Sequence, residues 1–187
     1  QQSPEHQNLW CLPATINLAG AEIDMVGLPD REKVLSKSLQ TLLKNLDRPI
    51  HYVFIDSPPS LGLLTINALC AATEVLVPIQ CEYYALEGVT QLMANIDRVR
   101  TSLNPTLSLG NILLTMFDNR TNLSTDVAAE VRKYFPDQTL NATIPRSVRL
   151  SEAPSFGQTA ISYDPKNTGS LAYQEAAIEL AQRGVIK

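Results

Sequence analysis

What this chain does not contain narrows its chemistry more than its composition does. None of its 8 glycines is followed by lysine, so the G-x-x-x-x-G-K-S/T loop that cradles nucleotide phosphates is absent from it. Its histidines, His6 and His51, stand far apart, and Cys11, Cys70 and Cys81 lack the paired spacing of a metal site. Three is an odd number for a disulfide framework, so these cysteines read as small buried thiols of a reducing cytoplasm. No apolar run reaches membrane-spanning length, and there is no signal-peptide pattern. A net charge of −4 and a pI near 5.2 give no global attraction to nucleic acid. Any contact with DNA must come from a local basic cluster.

What is present is an alternating chain. With 187 residues, 44% of them hydrophobic and 18% charged, it fits one domain with a substantial core. Strands are expected at Leu9–Pro13, Tyr52–Ile55, Glu74–Ile79, Leu107–Leu114, Thr139–Ile144 and Ala160–Tyr163. Helices are expected at Asp30–Leu46 (capped by Asp30), Leu61–Ala72, Leu86 to about Asn104, Ser124–Phe135, and Ser170–Gln182 before Gly184. Runs of Val, Ile and Leu that are apolar on both faces point to buried parallel strands. The expected fold is therefore α/β, three-layered, a mostly parallel sheet with helices on both faces.

The stretch from His51 to Gly62, His-Tyr-Val-Phe-Ile-Asp-Ser-Pro-Pro-Ser-Leu-Gly, is the most telling. An apolar run ends in Asp56, and Pro58 and Pro59 stop the strand from continuing. A buried strand delivers an acid to the carboxyl edge of an open sheet in this way, the edge where such sheets bind ligands. Alternatively, Asp56 is a turn or capping acid. Further strand-to-helix loops follow at Gln80–Tyr84, Thr115–Arg120 and Pro145–Arg149, and all should open at the same edge. Arg120, Arg146 and Arg149 are expected in loops rather than on helix faces with acidic partners. Glu152 is expected as a buried ion-pair partner of Arg146 or Arg149, and no catalytic part is assigned to it.

Taken together, Ile55 to Gly62, Gln80 to Gly88, Leu113 to Leu123 and Ile144 to Ser155 are similar to the ParA (Soj-type) chromosome-partitioning ATPases. The opening Leu12-Pro13-Ala14-Thr15 and Leu18 to Glu22 resemble that family as well. The resemblance covers nearly the whole chain, in order. It departs at the start, where the family's Lys-Gly-Gly-x-Gly-Lys-Thr loop and its first aspartate-bearing switch are missing, and at Ser57, where Cys is common. A chain that opens at Gln1 rather than Met then reads as a single P-loop NTPase-like domain, 1–187, without its P-loop strand, loop and first switch. A fragment, a processed product or a truncated gene would each account for that.

The resemblance implies ATP and Mg²⁺ as cofactors of the intact protein, with Asp56 as its catalytic acid, reaching the metal through water. Pro58 and Pro59 would stiffen the loop beside the phosphates. Thr115, Met116 and Pro145 would lie at the adenine pocket, with Arg146 near the nucleotide or in a structural bridge; the same positions also suit core packing. Gln80–Tyr84 would belong to an ATP-dependent homodimer surface, or simply pack a turn. Arg120 and Arg149 would bind nucleoid DNA without sequence preference, and the implied partner is a centromere-binding ParB-like protein. The expected location is cytoplasmic and nucleoid-associated, without membrane. A MinD-like cell-division ATPase is the alternative, disfavoured because the chain ends without a basic amphipathic helix. The nitrogenase iron proteins are excluded by the positions of Cys70 and Cys81. Outside the ATPase class, the alternative is a non-catalytic module that contributes DNA or partner contacts.

Overall fold

The computed structural model describes residues 1–58, 62–83 and 85–185. Pro59, Ser60, Leu61 and Tyr84, which carry parts of the expectations above, lie outside the described residues. The chain divides into two compact units, Gln1–Thr73 with Ile96–Ser108, and Glu74–Asn95 with Leu109–Lys187. In chain order the helices are α1 (Leu18–Met25), α2 (Val34–Lys44), α3 (Leu63–Ala71), α4 (Ala85–Ser102), α5 (Asn122–Tyr134), α6 (Val148–Glu152), α7 (Ala160–Tyr163) and α8 (Thr168–Val185). The strands are β1 (Glu74–Gln80), β2 (Ser108–Phe117) and β3 (Thr139–Pro145).

The second unit is a parallel sheet in the order β1-β2-β3, with Ile112 opposite Thr139, Leu114 opposite Thr143 and Phe117 opposite Pro145. Its strands are apolar on both faces, and alternate residues serve different layers. Val77 and Ile79 of β1, with Ile112 and Leu114 of β2, pack against Val89 of α4 and Val127, Ala128 and Val131 of α5. The intervening residues face the other way, where Leu113, Leu140 and Ile144 meet Ala172 and Ala176 of α8. Small residues four apart on α8 let that helix sit close on the sheet. An ionic staple fixes it further. Glu179 accepts the backbone N–H groups of Asn141 (2.9 Å) and Ala142 (3.1 Å), and Arg183 Nη2 donates to Glu179 at 2.8 Å. Helices cover both faces, as expected of an α/β sheet.

The first unit is built differently. A 3₁₀ turn at Arg31–Lys33 leads into α2, and α3 packs beside them. Asn67 of α3, buried, accepts the backbone N–H of Leu35 (3.0 Å) and donates to the carbonyl of Arg31 (2.8 Å). Asn104 donates to the carbonyls of Leu69 (2.9 Å) and Ala72 (2.8 Å), closing the C-terminal end of α3. Glu22 of α1 accepts the Leu64 N–H at 3.0 Å and satisfies an orphan donor at the start of the same helix.

Several expectations fail in this unit. Leu9–Pro13 and Tyr52–Ile55 form no strand; Trp10 makes only an isolated antiparallel bridge with Gln2. Leu12 and Phe54 are largely exposed. A β-type sequence needs a paired neighbour of some length to become a strand: Leu9–Pro13 has only the short pairing with residues 1–3, and no strand among the described residues pairs with Tyr52–Ile55. Asp30 does not cap α2: it sits in the left-handed region at φ 53, and its carboxylate takes Lys37 Nζ at 2.8 Å. Cys11 is exposed rather than buried, and Cys70 is intermediate. In the second unit Ala160–Tyr163 is a helical turn, not a strand, because Thr159 Oγ1 accepts the Ser162 N–H at 3.1 Å and starts it. α8 also runs through Gly184 instead of ending before it.

Candidate functional site

The strand ends of a parallel sheet all point one way, so the loops after β1, β2 and β3 gather at one edge. A cleft of about 980 Å³ opens there, within the second unit. Val77, Ile79, Val89 and Leu92 line its apolar side, while Gln80, Glu82, Tyr83, Asp118, Arg120 and Arg146 bring polar groups to it.

The edge is held by backbone bonds that carry the sheet past its last regular residues. Cys81 N–H donates to the Thr115 carbonyl and Arg146 N–H to the Phe117 carbonyl, each at 3.0 Å. Between these two anchors Met116 is in the left-handed region at φ 54. That conformation costs a non-glycine residue roughly 1–3 kcal/mol, so it persists only where its surroundings enforce it. Thr115 is occupied in the sheet, its Oγ1 donating to the Ile79 carbonyl at 3.2 Å. Buried Ser124 Oγ donates to the Cys81 carbonyl at 3.1 Å and ties the start of α5 to the end of β1. Burial pushes the Cys81 thiol up, which makes it a packing residue rather than a nucleophile.

Ion pairs organise the charges. Arg146 Nη2 donates to Glu82 Oε1 at 3.0 Å and so joins the loops after β3 and β1. Arg120 grips Asp118 through two parallel bonds, Nε to Oδ1 at 2.9 Å and Nη2 to Oδ2 at 2.7 Å. That guanidinium and the Arg120 backbone N–H pull the Asp118 carboxyl from 3.8 down to about 2. Arg149, on α6, donates through Nη1 to Glu152 at 3.0 Å, and its Nε lies 3.7 Å from Asp164. All three arginines therefore have acidic partners, and Arg149 is helical, against the expectation of unpaired loop positions. Glu152 pairs with Arg149, one of the two partners foreseen, but the pair is half-exposed rather than buried.

Of the residues singled out in the sequence, Met116, Arg120 and Arg146 line the cleft, and Thr115 and Pro145 lie in the strand ends behind it. Asp56 and Pro58 belong to the first unit, where both are exposed and follow no strand. Among the described residues no group of three or more His, Cys, Asp or Glu side chains is placed to hold a metal ion. These residues alone do not fit Mg²⁺. Sequence reasoning passed over Asp118 and Glu82. Asp118 has a signal, since an aspartate two residues before another backbone N–H is an Asx turn. Glu82 has none, because its partner lies 64 residues away.

Comparison with known proteins places the chain. The AAA_31 family, an AAA domain, matches residues 1–109. The Bacillus subtilis sporulation initiation inhibitor protein Soj is 51% identical over 178 residues, 95% of this chain and 69% of that protein. The Myxococcus xanthus chromosome partitioning protein ParA is 49% identical over 183 residues, 98% of this chain and 63% of that protein. The chain thus spans about two thirds of the length of these relatives. Among solved structures, cobyrinic acid a,c-diamide synthase from Mycobacterium smegmatis with bound ADP and magnesium superposes with a TM-score of 0.73 at 38% identity, covering 91% of this chain and 61% of that one. The Pyrococcus furiosus cell division ATPase MinD, at 20% identity and a TM-score of 0.63, shares the fold. No helix among the described residues is long and apolar enough to cross a membrane.

Proposed function

We propose, from the premise that the chain belongs to the ParA/Soj family of chromosome-partitioning ATPases, that it forms the base-side and DNA-facing part of an ATP-driven partition switch. The intact protein binds ATP with Mg²⁺, hydrolyses it, dimerises around it, and in that state holds nucleoid DNA without sequence preference. A ParB-like centromere-binding protein is the partner that releases it. The chain 1–187 is one ParA-like domain lacking the P-loop strand, loop and first switch, and it works in the cytoplasm.

The observation that carries this reading is the cleft at the carboxyl edge of the sheet, with Met116 and Arg146 in its wall and Arg120 at its rim. An apolar slot flanked by backbone polar groups suits a purine. Met116, Thr115 and Pro145 are the proposed adenine contacts, and Arg146, already bridged to Glu82, borders the nucleotide. Asp56 is the proposed catalytic acid, which would reach Mg²⁺ through water in the intact protein, and Pro58 and Pro59 are proposed to stiffen its loop. No step through the metal follows from the described residues. Arg120 and Arg149 supply the phosphate contacts. Their carboxylate partners do not preclude this, because exposed ion pairs are worth little and phosphate competes for the same donors.

Two measurements test the reading. The 187-residue chain should hydrolyse no ATP above background, because nothing in it holds the β- and γ-phosphates, whereas the chain extended by a P-loop strand, loop and helix should turn over slowly. In that extended protein, Asp56→Ala should abolish turnover with the fold intact. For DNA, Arg120→Ala and Arg149→Ala should each flatten the plot of log affinity against log salt by roughly 0.9 per lost phosphate contact, equally on unrelated duplexes. Unchanged slopes in both variants would remove the DNA role.

A further inference from the structure

We infer that Asp118 is the mount of Arg120: it grips one edge of the guanidinium and presents a second edge to phosphate, so that an acidic side chain strengthens binding to an anion. This rests on the reading that Arg120 meets phosphate, and it names the residue that makes that contact efficient.

The geometry is specific. Asp118 accepts Nε and Nη2 of Arg120 at 2.9 and 2.7 Å, and its Oδ1 also accepts the Arg120 backbone N–H at 3.1 Å. The carbonyl of Asp118 in turn accepts the N–H and the hydroxyl of Thr121, at 3.1 and 3.0 Å, which locks the turn to the start of α5. The carboxylate side chain is only 17% exposed while that of Arg120 is 82% exposed. The carboxylate is therefore a fixed support and the guanidinium a projecting head. A guanidinium carries five N–H donors in a plane, and the fork uses two. The second proton of Nη2 and one of Nη1 remain side by side at the end of the group, which has the shape of a bidentate phosphate receptor, and the other Nη1 proton points along the third edge. Arg149 is arranged otherwise, with Glu152 on Nη1 and Asp164 near Nε.

Two effects compete when phosphate arrives. Holding an arginine side chain still in advance removes an ordering cost equivalent to as much as about thirtyfold in affinity. A carboxylate and a phosphate on two edges of one guanidinium stand roughly 6 Å apart, where their repulsion costs about threefold at the dielectric of water and up to about a hundredfold at that of a protein surface, reduced by salt. On this inference the ordering effect prevails at the projecting head, and the affinity of Asp118→Asn decides between the two.

The test is an NMR titration of the ¹⁵N-labelled protein extended by its P-loop segment and held in its ATP-bound state, with two unrelated DNA duplexes, following the Arg120 Nε–Hε signal. Asp118→Asn keeps an oxygen for the Arg120 backbone N–H and so keeps the turn. It should weaken binding about threefold to tenfold on both duplexes, although it removes a negative charge, and should lower the order parameter of Nε–Hε in the free protein. In an Arg120→Ala background the same change should have no further weakening effect. Arg120→Lys, which keeps the charge but not the two-edged plane, should weaken binding to a similar degree. Binding by Asp118→Asn that is equal to or tighter than wild type, with Arg120→Ala still weak, would overturn the inference while leaving the DNA reading intact. Equal weakening by Asp118→Asn with and without Arg120 would overturn it by placing the effect in the loop's fold. If Arg120→Ala changes neither affinity nor salt dependence, the DNA reading fails and this inference fails with it.

Discussion

The sheet unit and the unit formed by residues 1–73 with 96–108 are held together differently. In the sheet unit, two apolar layers lie on opposite faces of β1–β3, and residues such as Ile112, Leu114 and Leu140 are fully buried. In the other unit apolar residues are buried too, Leu69, Ile96, Val99 and Leu107 among them, but side-chain amides and a carboxylate also bind backbone groups along α3 and at its ends, and large apolar residues such as Ile16, Ile23 and Phe54 stay exposed. The difference shows what paired strands contribute. A sheet offers two faces on which apolar side chains can be layered, and where the described residues form none, directional bonds to helix backbones are added to the apolar contacts.

The contrast can be broken most forcefully at Leu114. Truncating this fully buried residue to alanine should cost about 2–5 kcal/mol in urea unfolding followed on the sheet unit. A loss below about 1 kcal/mol would mean that the apolar layers are not what holds that unit.

Next is Glu179, which fastens α8 to β3 in the sheet unit. Burial pushes its carboxyl up, but the N–H groups of Asn141 and Ala142 and the guanidinium of Arg183 outweigh this, leaving it below its ordinary 4.5. A carboxyl depressed in the folded state adds stability that is complete above 4.5 and lost as the pH falls through the lower folded value. Glu179→Gln should cost about 1–3 kcal/mol at neutral pH and should remove that part of the acid-induced loss. Parallel pH–stability curves for the two proteins would contradict the assignment.

Asn67→Ala tests the other mode of support. It leaves the Leu35 N–H and the Arg31 carbonyl without their side-chain partner. Hydrogen exchange in α2 and α3 should accelerate by an amount equivalent to about 1–3 kcal/mol, with β1–β3 unaffected. Acceleration spread evenly over both units would show that they do not behave as separate bodies.

The smallest effect belongs to Phe54, whose side chain is exposed and stacks on Tyr52, with ring centroids 6.3 Å apart. Phe54→Ser should change the stability of the 187-residue chain by no more than about 0.5 kcal/mol. The same change in the chain extended by a P-loop strand should cost considerably more, because the segment would then have a neighbour to pair with.

These cases also mark how far the sequence could be read. β1 and β2 were legible because each contains a short run of branched apolar residues, and β3 because Leu140 and Ile144 stand in a short segment rich in branched residues. Tyr52–Ile55 carries the same signature but is not a strand, since pairing is a property of two segments and only one can be inspected in a local pattern. Ala160–Tyr163 was misread for a different reason: four residues are too few to distinguish a period of 2 from one of 3.6, and the capping hydroxyl of Thr159 decided it. At the cleft, Met116, Arg120 and Arg146 were found through resemblance. Asp118 and Glu82 were missed because an acid acquires meaning only from the arginine it faces. The positive φ of Met116 left no trace at all, as methionine is not a residue that announces a left-handed turn.

The three cysteines stand at graded depths: Cys11 exposed, Cys70 intermediate and Cys81 buried beneath the cleft. They therefore form a set of chemical timers. A thiol reagent should reach Cys11 at the rate of a free peptide and Cys70 as the first unit breathes. Cys81 should react only when the end of β1 lifts away from β2 and α5, because its backbone is bonded to Thr115 and Ser124. The lag between the second and third modifications converts a difference in depth into the relative opening rates of the two units, read from one unmutated chain in one reaction.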